Sequence, residues 1–100
     1  MKIIIQELED RIVAVLGGEM DTTAALEVEE ALQPLFNDDD RDIVIDCTEL
    51  EYIASSGLRI LLSILKNAKA HGNRVILKNV NENIRDVFKL TGFINIFEFE

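Results

Sequence analysis

The sequence predicts an α/β domain built on a mixed, mostly parallel sheet, with its elements in the order ββαβαβαβ. Three observations point there. Short β-branched runs alternate with segments whose apolar residues recur at helical spacing, the pattern of parallel strands joined by right-handed crossovers. The first two apolar runs are separated by residues 7–11 alone, short enough for a hairpin, so the first strand joins the sheet antiparallel. The chain has 100 residues, 48% of them apolar, which supplies one domain over residues 1–100 with its own core and leaves no room for a second.

Residues 3–6 and 12–16 read as the two hairpin strands. The period then changes. Ala24, Val28, Ala31, Leu32 and Leu35 fall on one helical face, with Glu27, Glu29 and Glu30 off it. Asp21 or Thr22 supplies the short side-chain oxygen that accepts an orphan N–H at a helix start. The acidic loop Asn37-Asp38-Asp39-Asp40 follows. It lacks the spacing, the glycine and the distal glutamate of a calcium loop, so it reads as solvated surface.

The third strand is read at residues 42–47, centred on Ile43-Val44-Ile45 and ending at Asp46 and Cys47. A loop and then a helix over residues 56–71 come next. Leu58, Leu61, Leu62, Leu65 and Ala68 form its stripe, and Ile60 and Ile64 flank it with partial exposure expected. Gly72 suits a left-handed stop. Residues 74–78 form the fourth strand. Residues 83–91 form the third helix, with Ile84, Val87 and Phe88 inward and Gly92 as its stop, and residues 94–99 form the last strand. A run such as Ile43-Val44-Ile45 predicts strands buried on both faces. Three helices are few to cover both faces of five strands, which points to an exposed apolar patch of the kind partners use.

Charge and composition exclude several functions. Nineteen acids against ten Lys and Arg give a net charge of −9, a surface that repels nucleic-acid phosphates and anionic membranes. Residues 1–57 hold fifteen acids and three bases, and residues 58–100 hold four acids and seven bases. That asymmetry either orients a protein partner or is plain solvated surface. Cys47 is the single cysteine, so no intrachain disulfide forms. The opening MKIIIQELED is no signal peptide, and no apolar stretch approaches the roughly 18 residues of a membrane span. A soluble, reduced, cytoplasmic protein is expected, with no membrane insertion.

No enzymatic constellation is present. The chain has no P-loop and no dinucleotide fingerprint. One His and one Cys cannot make a common zinc site, which takes four ligands, so neither metal nor cofactor is expected. His71 follows Ser56 on the same predicted helix at a separation of roughly 22 Å, from ~1.5 Å of rise per residue, which rules out a dyad. Gly17-Gly18-Glu19-Met20-Asp21 has the glycines of a nucleotide-cyclase signature but not its acidic run. Asp46 sits where receiver domains carry a phospho-acceptor, but the second element here is a strand rather than a helix.

The most informative stretch runs from Asp46 to Leu62 through Ile53-Ala54-Ser55-Ser56-Gly57-Leu58. Serine is a preferred helix cap, yet two serines exceed the need of one cap. A phosphate there would meet free N–H groups and the positive end of the helix dipole. With Gly18-Glu19-Met20-Asp21, the Asp46 strand, Gly72 followed by Val75 and Leu77, and the tail Val87-Phe88-Lys89-Leu90-Thr91-Gly92-Phe93, the sequence resembles the anti-sigma factor antagonists of the STAS domain class over nearly its whole length.

The resemblance implies partner switching in bacteria. The unmodified antagonist binds an anti-sigma factor that is also a serine protein kinase, which frees the sigma factor for transcription. Phosphorylation of the antagonist ends that binding, and a phosphatase resets it. The family's phosphoserine falls on Ser55, with Ser56 as the alternative. The implied partner surface is Glu19, Asp21, Ser55, Ser56, Gly57 and Arg59, on a monomer or weak dimer. Several phosphorylated members carry an aspartate before the acceptor, where this chain has Ala54. The same class also includes docking subunits of lipid-transport and sensory signalling complexes, which leaves a second reading without phosphorylation.

Overall fold

The computed structural model describes residues 1–33 and 41–100; Leu35 of the first stripe and the acidic loop at 37–40 lie outside them. The elements are β1 (Lys2–Glu7), β2 (Arg11–Met20), α1 (Thr22–Ala31), β3 (Asp42–Ile53), α2 (Ser55–Ala70), β4 (Val75–Lys78), α3 (Glu82–Thr91), a 3-10 turn (Phe93–Asn95) and β5 (Glu98–Phe99). The predicted class and order hold. The sheet runs β1-β2-β3-β4-β5, with β1 antiparallel to β2 and the other neighbours parallel.

That order decides where the core lies. Strands β2 to β5 advance in one direction across the sheet, so right-handed crossovers place α1, α2 and α3 on the same face. Ile12, Ala14 and Leu16 of β2, Ile43, Ile45 and Cys47 of β3, and Val75 and Leu77 of β4 share one buried cluster with Val28, Leu61 and Phe88 of the helices. The alternate strand residues point the other way. Ile4, Val15, Asp46 and Lys78 form one cross-strand row, and Gln6, Val13, Val44, Ile76 and Glu98 the next. Val13, Val15, Val44 and Ile76 stand outside the helix-side cluster. Ile43, Val44 and Ile45 are all buried, as the run predicts; Ile43 and Ile45 lie in the helix-side cluster, and Val44 faces the other way, where among the described residues no helix packs. Of the apolar residues on this face, Ile4 is exposed, Val13, Val15 and Ile76 are half-buried and Val44 is buried.

Several boundaries differ from the sequence reading. β2 continues to Met20 through two register shifts, with Gly18 at φ 93. β3 continues to Ile53, so the stretch read as a loop is strand and Asp46 lies inside it rather than at its end. Thr48, Glu49 and Glu51 are exposed there, and a half-solvated strand keeps polar residues at no cost. The last strand shrinks to Glu98–Phe99 because Gly92, at φ 81, turns the chain into the 3-10 segment. Phe97 and Phe99 then meet Phe88 edge-on, each with ring centroids 5.5 Å apart. Arg74 holds β5 through a bidentate pair with Glu98, both bonds 2.9 Å.

In α2 the buried set is Gly57, Leu58, Ile60, Leu61, Ile64, Leu65 and Ala68, while Leu62 is half-buried. The expectation that Ile60 and Ile64 flank the core is corrected. α1 packs beside α2 as well as the sheet beneath it, so the buried face of α2 is wider than a single stripe. Leu61→Ala and Ile64→Ala should each lower stability by ~2–5 kcal/mol in urea denaturation. Leu62→Ala should cost only about 1 kcal/mol, in proportion to its partial burial; a Leu62→Ala loss equal to that of Leu61→Ala would contradict this orientation.

Candidate functional site

The site forms where β2 and β3 end side by side. Glu19 pairs with Tyr52 and Met20 with Ile53 across the two strands. The backbone N–H of Ala54 donates to the carbonyl of Met20 at 2.8 Å. That bond ties the entry of α2 to the exit of β2, from which α1 also departs. Both helix N-termini therefore lie along one rim, at the carboxyl ends of parallel strands, where open α/β sheets place their sites.

Asp21 is the N-cap of α1: its Oδ1 accepts from the N–H of Ala24 at 2.8 Å. The choice left open between Asp21 and Thr22 resolves to Asp21. An open cleft of about 400 Å³ lies along this rim, lined in part by Glu19, Asp21, Glu27 and Glu51. Acids thus dominate the surface around the α1 start.

The two serines occupy different environments. The helix begins at Ser55 behind Ala54, which makes no capping hydrogen bond. Ser55 is therefore the first helical residue, not a loop residue outside the helix, and its side chain is exposed. Ser56 is not the N-cap. Its Oγ is shielded from solvent and has no hydrogen-bond partner among the described residues. The first intrahelical bond runs from Leu58 N–H to Ala54 at 3.1 Å, so the N–H groups of Ser55, Ser56 and Gly57 are the orphan donors of this terminus.

Beside Ser56, Gly57 packs tightly against the strand ends. A Cβ at this position would lie 2.8 Å from Met20 Sδ and 2.9 Å from Ile53 Cγ1. The helix sits so close to the ends of β2 and β3 that a hydrogen is all that fits. Arg59 lies one turn further along α2, on the same face as Ser55, and is exposed. Of the predicted site residues, Glu19, Asp21, Ser55 and Arg59 are thus surface groups, while Ser56 and Gly57 act by packing. Tyr52, 51% exposed beside Glu19, and Leu26, 64% exposed on α1, are apolar surface residues that the sequence reading missed. Leu26 carries a signal in sequence, a leucine off the Ala24–Val28 stripe.

Other reactive groups lie apart from the rim. Asp46 Oδ1 accepts from Thr48 Oγ1 at 2.6 Å and from Thr48 N–H at 3.0 Å, and these bonds hold its carboxyl below the usual range. It braces its own strand. Asn79, at φ 57, donates from Nδ2 to Thr48 Oγ1 at 2.9 Å and extends that brace to the end of β4. Burial pushes the Cys47 thiol up to about 12, which keeps it protonated and unreactive. Among the described residues no three His, Cys, Asp or Glu side chains are grouped to hold a metal ion, and no helix is long and apolar enough to cross a membrane.

Comparison with known proteins decides the family. The sequence matches the STAS domain over residues 2–100. The chain belongs to the STAS domain family. The Bordetella bronchiseptica protein BtrV is 29% identical over 97 residues, covering 97% of this chain and 84% of its own length. The anti-sigma-B factor antagonist of Staphylococcus aureus is 31% identical over 77 residues, covering 77% of this chain and 71% of the relative. The fold matches the anti-sigma factor antagonist SpoIIAA in its unphosphorylated form with a TM-score of 0.83 at 22% identity, over 99% of this chain and 88% of that one. Phosphorylated SpoIIAA from Bacillus matches with a TM-score of 0.76 at 21% identity, over 99% of this chain and 91% of that one. STAS anti-sigma factor antagonists are regulatory binding proteins, not enzymes.

The Ser56 environment sets a test. A shielded hydroxyl without a partner is destabilising. Ser56→Ala should raise stability by about 1 kcal/mol, or leave it within ~0.5 kcal/mol, in chemical denaturation. A loss of ~1 kcal/mol or more, the size of a lost cap, would show the hydroxyl at work in the fold.

Proposed function

We propose that this chain is an anti-sigma factor antagonist whose binding to an anti-sigma factor with serine kinase activity is switched off by phosphorylation of Ser55. One observation carries the reading: of two adjacent serines at the start of α2, Ser55 is exposed and the hydroxyl of Ser56 is shielded. A kinase reaches the first and not the second. Ser55 is the proposed acceptor, and Glu19, Asp21 and Arg59 form the proposed contact surface around it, with Gly57 fixing the helix beneath.

The physics of the switch is local. Phosphate adds about −1.5 to −2 charges and three strong acceptors. The free N–H groups of Ser55, Ser56 and Gly57 and the positive helix end favour that charge, so the fold tolerates it. Ala54 supplies no side-chain oxygen to occupy those donors first. A partner surface shaped for a neutral hydroxyl beside carboxylates does not tolerate it. Burying an uncompensated dianion there costs several kcal/mol, and ~2.7 kcal/mol is already a hundredfold in affinity. In this reading the chain works as a single cytoplasmic domain, monomeric or weakly dimeric, reset by a phosphatase and directing transcription only through its protein partner.

Incubation with the cognate anti-sigma kinase and ATP, followed by intact mass and titration of binding, tests the reading. Wild type should gain the ~80 Da of one phosphate and lose affinity about a hundredfold or more. Ser55→Ala should gain no mass and keep binding. Ser55→Asp should bind more weakly than wild type but better than the phosphorylated chain, because one carboxylate carries less charge. Phosphate that persists in Ser55→Ala and vanishes in Ser56→Ala would overturn the assignment of the acceptor. Binding by a wild-type chain that the kinase never modifies would replace the switch with the docking-subunit reading.

A further inference from the structure

We propose that β1 is a self-pairing edge, through which two copies of this chain join their sheets antiparallel about a twofold axis at Ile4. The proposal is independent of the Ser55 switch, because β1 is separated from β3 by β2.

The hydrogen-bond parity of the hairpin fixes what β1 offers. The N–H of Leu8 donates to the carbonyl of Arg11 at 2.9 Å, in the same register that pairs Lys2 with Gly17 and Ile4 with Val15. A direct bond between opposed residues marks a hydrogen-bonded pair, and such pairs alternate along an antiparallel ladder. Lys2, Ile4 and Gln6 therefore turn their backbone groups towards β2. Ile3, Ile5 and Glu7 turn theirs outwards, and among the described residues no strand receives them.

The strand has none of the usual devices against pairing at its centre. Lys2-Ile3-Ile4-Ile5-Gln6-Glu7 contains no proline, no bulge and no charge between its ends, and an apolar edge of that kind is a template for another strand. Ile4 is 41% exposed on the open face, and Ile3 and Ile5 are half-buried on the helix side.

The sequence of the strand argues for a second copy as the occupant. A twofold axis relating antiparallel neighbours stands perpendicular to the sheet, so opposed residues must point to the same face. With the axis at Ile4, Ile3 of one copy opposes Ile5 of the other, and their outward N–H and C=O groups bond reciprocally. Ile4 opposes Ile4, and Lys2 opposes Gln6. Apolar residues meet apolar residues on both faces, and no like charges are opposed. Moving the axis to Ile5 would set Ile3 against Glu7 and Ile4 against Gln6 and lose that match. In the favoured register Ile4 and Val15 of the two copies form a continuous apolar strip on the open face, and the two five-stranded sheets become one.

Sedimentation equilibrium of the full chain over a range of concentrations, with cysteine variants, tests this. Wild type should show a reversible doubling of mass. Ile4→Lys should weaken association about tenfold or more, since it sets two like charges directly opposite. Ile4→Glu should do the same, and an equimolar mixture of Ile4→Lys and Ile4→Glu should recover the dimer. Ile4→Cys should cross-link under mild oxidation, because Cα atoms of a non-hydrogen-bonded pair lie about 4.5 Å apart, within disulfide reach. Gln6→Cys should not, its symmetry mate lying roughly 13 Å away along the strand at ~3.3 Å per residue. A single-copy mass at every concentration would overturn the proposal, as would pairing by an extended segment of another protein only. A dimer that ignores the Ile4 substitutions, or cross-links equally through Gln6→Cys, would overturn it too.

Discussion

The contact between Gly57 and the ends of β2 and β3 is the constraint on which the site depends. A Cβ there would stand 2.8 Å from Met20 Sδ and 2.9 Å from Ile53 Cγ1, closer than side-chain carbons approach. Met20 and Ile53 are themselves buried and paired across the strands, so neither is free to withdraw without disturbing the core. The hydrogen bond from Ala54 to Met20 fixes the chain one turn earlier. Between these two points Ser55 and Ser56 have little freedom. One faces out, the other in.

The same geometry separates two surfaces. Among the described residues, α1, α2 and α3 stand on one face of the sheet because β2 to β5 advance in one direction. The N-termini of α1 and α2 then share a rim at the carboxyl ends of the strands, with acids around the α1 start and orphan N–H groups at the α2 start. The opposite face, with Val13, Val15, Val44 and Ile76, carries no helix among the described residues. It joins the free edge of β1 through Ile4. A charge added at Ser55, as proposed, would act at the rim, away from the open face and the β1 edge. That locality suits a switch that changes partners without changing fold.

Much of the fold was legible in the sequence because periodicity reports burial directly. The hairpin, the helical stripes at Ala24–Val28 and Leu58–Leu65, a cap at Asp21 or Thr22 and the left-handed Gly72 and Gly92 all follow from local rules. The extents of β2 and β3 do not. Thr48, Glu49 and Glu51 read as loop because their solvent comes from the open sheet face, which only the tertiary arrangement reveals. Ile60 and Ile64 read as flanking because α1 beside α2 has no trace in the spacing along α2. Within the site, the serine pair was legible and its division of labour was not. Cap preference does not say which serine caps the helix; in the structure neither does, because the helix starts at Ser55 behind Ala54, with Gly57 docked against the strand ends.

The stability of Gly57→Ala relative to wild type, measured by urea denaturation, tests this account most directly, because its sign is at stake. An ordinary helical glycine becomes more stable as alanine, by roughly 0.5–1 kcal/mol. Close docking predicts the reverse: overpacking against Met20 and Ile53 should lower stability by about 1–3 kcal/mol. A Gly57→Ala chain as stable as wild type, or more so, would mean that α2 does not press on the ends of β2 and β3, and would contradict the account of how Ser55 is held at the surface.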